Sequence, residues 1–156
     1  MKTSSPLPGL YFLLCRLAGW LSITLAACLL MVPAHAAPLT PADEKSIRTA
    51  VEGQLAALAK DDAVKAFSFA APNVREAVGT APQFLAMVRK SYPAIYRPAS
   101  TAFLKPEGHY SQVIQRVQMI DASGSAWLAI YSLQQQKDKT WRITGCSVVA
   151  NKGRMA

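Results

Sequence analysis

The chain has 156 residues, a hydrophobic fraction of 51% and a formal net charge of +8, with only three Cys and two His. That is the length of a single domain, and its Lys and Arg are scattered singly apart from Arg89-Lys90, which excludes the clustered basic stripe of a nucleic-acid binder. Beyond residue 36 only Cys146 and His109 remain, so that region has no internal disulfide and too few ligands for a His/Cys zinc site. No loop has the carboxylate spacing of a hard-cation site, and neither metal nor cofactor is expected.

Lys2 and Arg16 give a positive start, Leu17 to Val32 is apolar apart from Ser22 and Thr24, Pro33 breaks the run, and Ala34-His35-Ala36 is a small-x-small cleavage site. Residues 1–36 therefore read as a signal peptide cleaved after Ala36, with the folded part periplasmic or secreted and without a membrane span in its mature form. Leu25-Ala26-Ala27-Cys28 offers an alternative, a lipoprotein anchored through Cys28, although the apolar run continues past that cysteine. An uncleaved anchor is the third alternative. Residues 37–42 form a short lead, 43–150 one domain and 151–156 a tail.

Thr40 suits an N-cap, Pro41 the first helical position, and Asp43 and Glu44 the positive end of the helix dipole. Ile47, Val51, Leu55 and Leu58 recur at three and four residues, one apolar face on a helix of about five turns. Gln54 beside that stripe is either a boundary residue or a polar group pointing into a pocket. Asp61-Asp62 caps a second helix with Val64, Phe67 and Ala71 on its buried side, ended by Pro72. A short helix over 73–78 stops at Gly79; Thr80 caps the next, which turns Phe84, Leu85, Val88 and Tyr92 inward. Pro93 and Pro98 bracket an extended or turned segment, 94–97. Residues 100–104 read as a short strand and 105–108 as a turn.

Tyr110 to Ala150 reads as a three-stranded antiparallel meander: 110–120, then 125–136 after the turn Asp121-Ala122-Ser123-Gly124, then 140–150. One face carries Val113, Gln115, Val117, Met119, Trp127, Ala129, Tyr131, Leu133, Trp141 and Ile143; it should receive the helices, having the larger apolar area. The other carries an apolar centre of Ile114, Leu128, Ile130, Cys146 and Val148, ringed by Arg116, Arg142 and Thr144. A back this apolar is expected to be buried in a twofold homodimer. Gly145 opposite Tyr131 leaves room beside the ring or marks a bulge.

Helices followed by a meander ending in Trp141-Arg142-Ile143 resemble the nuclear-transport-factor-2-like, cystatin-like α+β cone. More narrowly, Gln54-Leu55, Asp61-Asp62, Ala66-Phe67-Ser68-Phe69-Ala70, Pro72, Arg75, Gly79, Phe84, Met87-Val88, Tyr92-Pro93, Tyr96-Arg97-Pro98 and Gly145-Cys146 resemble the exported bacterial family catalogued as domain of unknown function 4864. They span most of 43–149; Leu58 and Val78 are aliphatic where that family has aromatic residues. The resemblance implies an α+β fold, N-terminal helices packed on the concave face of a curved antiparallel sheet, with a pocket at the open end. It supplies no activity, because relatives of this fold include isomerases, dehydratases, binding modules and dimerisation domains.

An isomerase needs a buried carboxylate base, and every carboxylate here falls at a cap, a turn or another position away from the inner sheet face. Cys146 with His109 is a conceivable nucleophile pair, but a buried inert thiol is the plainer expectation; at a dimer face Cys146 would also allow an intersubunit disulfide. Tyr96-Arg97, with Tyr92 nearby and Arg75 from the short helix, suits a carboxylate or other anion. The plainer alternative pairs Arg97 with Asp61 or Asp62, or caps a helix with it. Trp127, Tyr131 and Trp141 follow strand periodicity, as core residues do. The first expectation is thus an exported binding or interaction module whose ligand is small and partly apolar or anionic, held by Tyr92, Tyr96, Arg97, Gln115 and Tyr131. The rivals are a cofactor-free lyase or isomerase using the same cavity and a structural dimeric component of an envelope complex.

Overall fold

The structure, a computed structural model, describes residues 38–109 and 111–151. The expected leader with Cys28, Tyr110 at the meander's start, and the tail beyond Asn151 lie outside the described residues. Five helices come first: α1 (Pro41–Ala59), α2 (Ala63–Ser68), α3 (Pro72–Val78), α4 (Ala81–Ser91) and α5 (Pro93–Tyr96). Five strands follow: β1 (Ser100–Phe103), β2 (Glu107–His109), β3 (Gln112–Ile120), β4 (Ala126–Gln135) and β5 (Trp141–Ala150).

The helices begin where side chains can satisfy orphan backbone donors. At α1 the Asp43 N–H donates to Thr40 Oγ1 (3.1 Å) and the Thr40 N–H to Asp43 Oδ2 (3.3 Å), a reciprocal cap. Thr80 and Gln83 repeat it at α4. Gly79, at φ +91°, ends α3 in a conformation that side chains disfavour. Ile47, Val51, Leu55 and Leu58 are all buried, as their spacing predicts. Val64 is not: it is 75% exposed. Asp62 caps α2 through the Lys65 N–H (2.9 Å), which fixes the helix phase so that Ala66 faces in and Val64 out. Phe67 packs on Phe84 from α4, ring centroids 5.4 Å apart.

The sheet is antiparallel and open, in the order β1-β3-β4-β5, with β2 also paired to β3. β1 and β2 are one interrupted edge strand: Phe103 pairs with Val117, Glu107 with Ile114. Residues 105–108, expected as a turn, instead straddle this interruption. Pro106 has no N–H to contribute, and Gln115 repairs the gap, its Nε2 donating to Leu104 O (2.6 Å) and Arg116 O (2.9 Å). The opposite edge, β5, is covered in part by the α2–α3 link, where Ile143 N–H donates to Phe69 O (2.9 Å) and Ala71 N–H to Ile143 O (2.8 Å). Both devices blunt edges that would otherwise pair with other chains.

β3 and β4 meet in the expected register, Gln115 opposite Tyr131 and Val117 opposite Ala129. Their inner positions Val113, Gln115, Val117, Met119, Ala129, Tyr131 and Leu133 are all buried, so the helices lie on this face. β5 departs from the expectation. Leu133 pairs with Ile143 but Ser132 with Gly145, so Thr144 is an extra residue, its Oγ1 donating to Ser132 O (3.1 Å). Such a bulge bends the strand and reverses the facing of everything beyond it. Cys146 therefore sits opposite Tyr131 and Val148 opposite Ala129, both on the inner face and packed against the core. Their expected place on the sheet's back is corrected: Val149, opposite Leu128, takes it. The architecture is α+β, helices packed on the concave face of a curved, open antiparallel sheet.

Candidate functional site

Between the helices and β4–β5 lies a chamber of about 240 Å³. Its lining follows from the elements just described. The apolar face of α1 brings Gln54 and Leu58, α3 brings Val74 and Val78, and α4 brings Phe84 and Val88. Tyr92 and Ile95 close one side, while Tyr131, Ile143 and, past the bulge, Cys146 form the sheet wall. No carboxylate, histidine, lysine or arginine is among these residues.

Its polar groups are few. Tyr131 is fully buried and its hydroxyl has no hydrogen-bond partner. The Cys146 thiol is the phenol's polar neighbour and interacts with it, but outside the distance and angle of a full hydrogen bond; Cys146 Sγ also makes a long contact, 3.8 Å, to Ser147 O. Burial raises the Tyr131 phenol well above its ordinary pKa and pushes the Cys146 thiol up to about 12, so both stay protonated near neutral pH. A thiol held in that state is a poor nucleophile. β2, which carries His109, is separated from β5 by β3 and β4. Gln54 is buried, its Nε2 donating to Ala66 O at 3.3 Å, and it lines the chamber; of its two sequence readings, the polar group in a pocket is the one realised.

The structure brings Tyr92 and Tyr131 together and leaves the other expected ligand residues elsewhere. Tyr96 and Arg97 are spent on Asp61: the Tyr96 hydroxyl donates to Oδ1, and Arg97 Nη2 lies 2.7 Å from Oδ2. Arg89 adds a third partner at 2.5 Å, and both guanidiniums lie over the Tyr96 ring. The Tyr96 hydrogen bond, then Arg89, holds the Asp61 carboxyl below its ordinary range. This is the plainer alternative for Arg97, realised with Asp61. Gln115 faces in but serves the strand edge, and it lines a separate hollow beside Phe103 and Pro106. Arg75 is on the exposed side of α3 and does not line the chamber. Trp127 and Trp141 do not fill the chamber either: their indole N–H groups donate to Asp121 Oδ2 (2.7 Å) and Asp43 Oδ1 (3.3 Å). Cys146 is the chamber residue that sequence reasoning misplaced. Its signal was Gly145, a residue without side chain inside a strand, which marks bulges.

Among the described residues no group of three His, Cys, Asp or Glu stands together as a metal site, and no helix is long and apolar enough to cross a membrane. The fold and the chamber thus define a small α+β domain, helices over a curved sheet, with a partly open hollow whose lining carries no charged side chain. Over residues 40–156 the chain matches the family described as Domain of unknown function (DUF4864), and it belongs to that family. No curated protein matches it. Among solved structures it is similar to an NTF-2 like protein of unknown function from Burkholderia xenovorans LB400, at 14% identity and a TM-score of 0.45, over 72% of this chain and 88% of that one.

Proposed function

We propose that this domain is an exported binding module whose chamber takes a small, neutral, largely apolar molecule with one hydrogen-bonding end. The observation that carries this reading is the Tyr131 hydroxyl, buried without a partner in a hollow of about 240 Å³. An unsatisfied buried hydroxyl costs about 1–3 kcal/mol, and a ligand acceptor would remove that penalty. A cavity of about 150 Å³ holds a benzene-sized molecule, so the chamber has room for a ring or a short chain. The ligand is neutral because no lining residue carries charge and Arg97, the expected anion partner, is tied to Asp61. The same lining disfavours a lyase or isomerase, which needs a carboxylate or histidine within reach of the cavity. Export rests on the leader-like pattern of residues 1–36.

Thermal shift with 2-hexanone and with hexanoate at pH 8 tests this. The ketone is expected to raise the melting temperature with its concentration, less so in Tyr131→Phe, and hexanoate to leave it unchanged. Equal shifts from both probes, or none from the ketone, would sink the reading.

We also propose a twofold homodimer through the sheet's back. Its support is that Ile114, Leu128 and Ile130 are only half-buried within one chain and Val149 is 48% exposed, an apolar strip on the face turned away from the helices of the described residues. Sedimentation at micromolar concentration should give a dimer, and Ile130→Arg a monomer; a wild-type monomer refutes it.

A further inference from the structure

Tyr92 lines a second hollow as well. Beside it lies an open cleft of about 630 Å³, whose lining includes Pro93, Ala94, Trp127 and Val148 together with the charged Arg97 and Asp121. The two hollows are consecutive along one sheet face. β5 gives Cys146 to the chamber and Val148 to the cleft; β4 gives Tyr131 to one and Trp127 to the other; α5 gives Ile95 and then Ala94. Two residues along a strand are about 7 Å, the scale of a short run of methylenes.

The divider between them is a side chain on a fixed backbone. The Tyr92 N–H donates to Val88 O (2.8 Å), and Tyr92 O accepts from the Ile95 N–H (2.9 Å) and the Tyr96 N–H (3.2 Å). A change of rotamer of the half-buried Tyr92 ring would leave these backbone bonds, and so both helices, in place. The cleft's floor is apolar and held in place, since Trp127 Nε1 is anchored on Asp121. Asp121 is itself saturated: its Oδ1 accepts from Ser123 N–H (2.9 Å), Ser123 Oγ (2.6 Å) and Ser125 N–H (3.0 Å). Its acceptor capacity is spent within the turn and on Trp127, and the floor of Trp127 and Val148 is suited to an apolar tail.

We infer that chamber and cleft are two parts of one site for an elongated molecule. Its hydrogen-bonding end lies beside Tyr131, and its unbranched apolar tail passes Tyr92 and rests along Trp127 and Val148. This rests on the chamber reading above and adds the ligand's shape and direction. Calorimetric titration of the full chain with straight-chain 2-alkanones from six to twelve carbons tests it. Affinity is expected to keep rising about fourfold per methylene beyond the length that fills the chamber. Val148→Asn should cut the affinity ratio of 2-undecanone to 2-hexanone by about tenfold or more, with a melting curve confirming that the variant is folded. A plateau at chamber-filling length, with 2-hexanone binding still dependent on Tyr131, overturns the cleft's role and leaves the chamber reading standing. Absence of any Tyr131-dependent 2-hexanone binding overturns the chamber reading and this inference with it.

Discussion

Replacing Tyr131 by Phe should make the empty protein more stable, not less. The substitution removes one oxygen and no packing carbon from a ring that is fully buried. Ordinarily a buried Tyr→Phe change breaks a hydrogen bond and destabilises by about 1 kcal/mol. Here the hydroxyl has no partner, so the change instead removes a desolvated, unsatisfied group. The gain should be about 1–2 kcal/mol, the lower part of the range for such groups. For a domain of this size about 1 kcal/mol moves the melting temperature by roughly 4 °C, so the variant should melt roughly 4–8 °C higher. Its affinity for 2-hexanone should fall about fivefold, the loss of one hydrogen bond of about 1 kcal/mol. Differential scanning calorimetry of both proteins, without and with the ketone, measures both quantities. If Tyr131→Phe melts at or below the wild-type temperature, the hydroxyl is already satisfied, by a buried water for instance, and the argument for an unmet polar requirement in the chamber fails.

The remaining predictions concern the frame around the site. A Cβ at Gly53 would lie 2.9 Å from Phe69 Cε1. Gly53→Ala should therefore destabilise by about 1 kcal/mol, overpacking of about 1–3 kcal/mol outweighing about 1 kcal/mol of helix propensity; a double-mutant cycle with Phe69→Leu should show coupling between the two sites, and strict additivity would contradict the contact. Gln115→Leu should lower stability by about 1–3 kcal/mol, because Leu104 O loses its side-chain donor and Arg116 O keeps only the Leu104 N–H, while ketone affinity stays at the wild-type value; a large loss of affinity would mean that Gln115 reaches the chamber. Asp121 is held at about 2, against an ordinary 3.8, by its hydrogen bonds to Ser123 and then Trp127. A depressed carboxylate stabilises the fold fully above its ordinary pKa and loses that contribution as pH falls through the folded value. Unfolding followed by circular dichroism should thus show stability dropping between about pH 4 and pH 2. Asp121→Asn should start lower at neutral pH and fall less steeply; an unchanged acid slope would count against this linkage.

Much of the frame was legible in the sequence because it rests on local chemistry. Thr40 and Thr80 begin helices as their capping geometry requires, Gly79 ends one, and the Asp121–Gly124 turn sets the β3–β4 register without distant help. What was not legible depended on contacts between distant residues. Asp61 gathers Tyr96, Arg89 and Arg97 across more than twenty residues of chain, so the Tyr-Arg pair that suited an anion turned out to be a clasp between the α1–α2 link and the α4–α5 region. Gln115 looked like a pocket residue because strand alternation turns it inward; only the break in the edge strand, which alternation cannot foresee, explains why it was placed there.

The consequential difference is one inserted residue. Without the Thr144 bulge, positions 145, 147 and 149 would face the helices, and the sheet wall beside Tyr131 would be the bare backbone of Gly145. With it, Cys146 stands opposite Tyr131 and contributes a thiol that burial keeps protonated. The bulge thus adds a second uncharged polar group to the wall, moves Val148 from the back of the sheet to the cleft and puts Val149 on the back in its place. Arg97, which the sequence offered as an anion partner, instead shares the Asp61 carboxylate with Arg89 outside the chamber. On the binding role proposed above, that separation would set the selectivity: an ion entering the hollow would be desolvated with no countercharge, a penalty of several kcal/mol, whereas a neutral molecule with one acceptor would satisfy the Tyr131 hydroxyl, the one buried side-chain oxygen or nitrogen without a partner among the described residues.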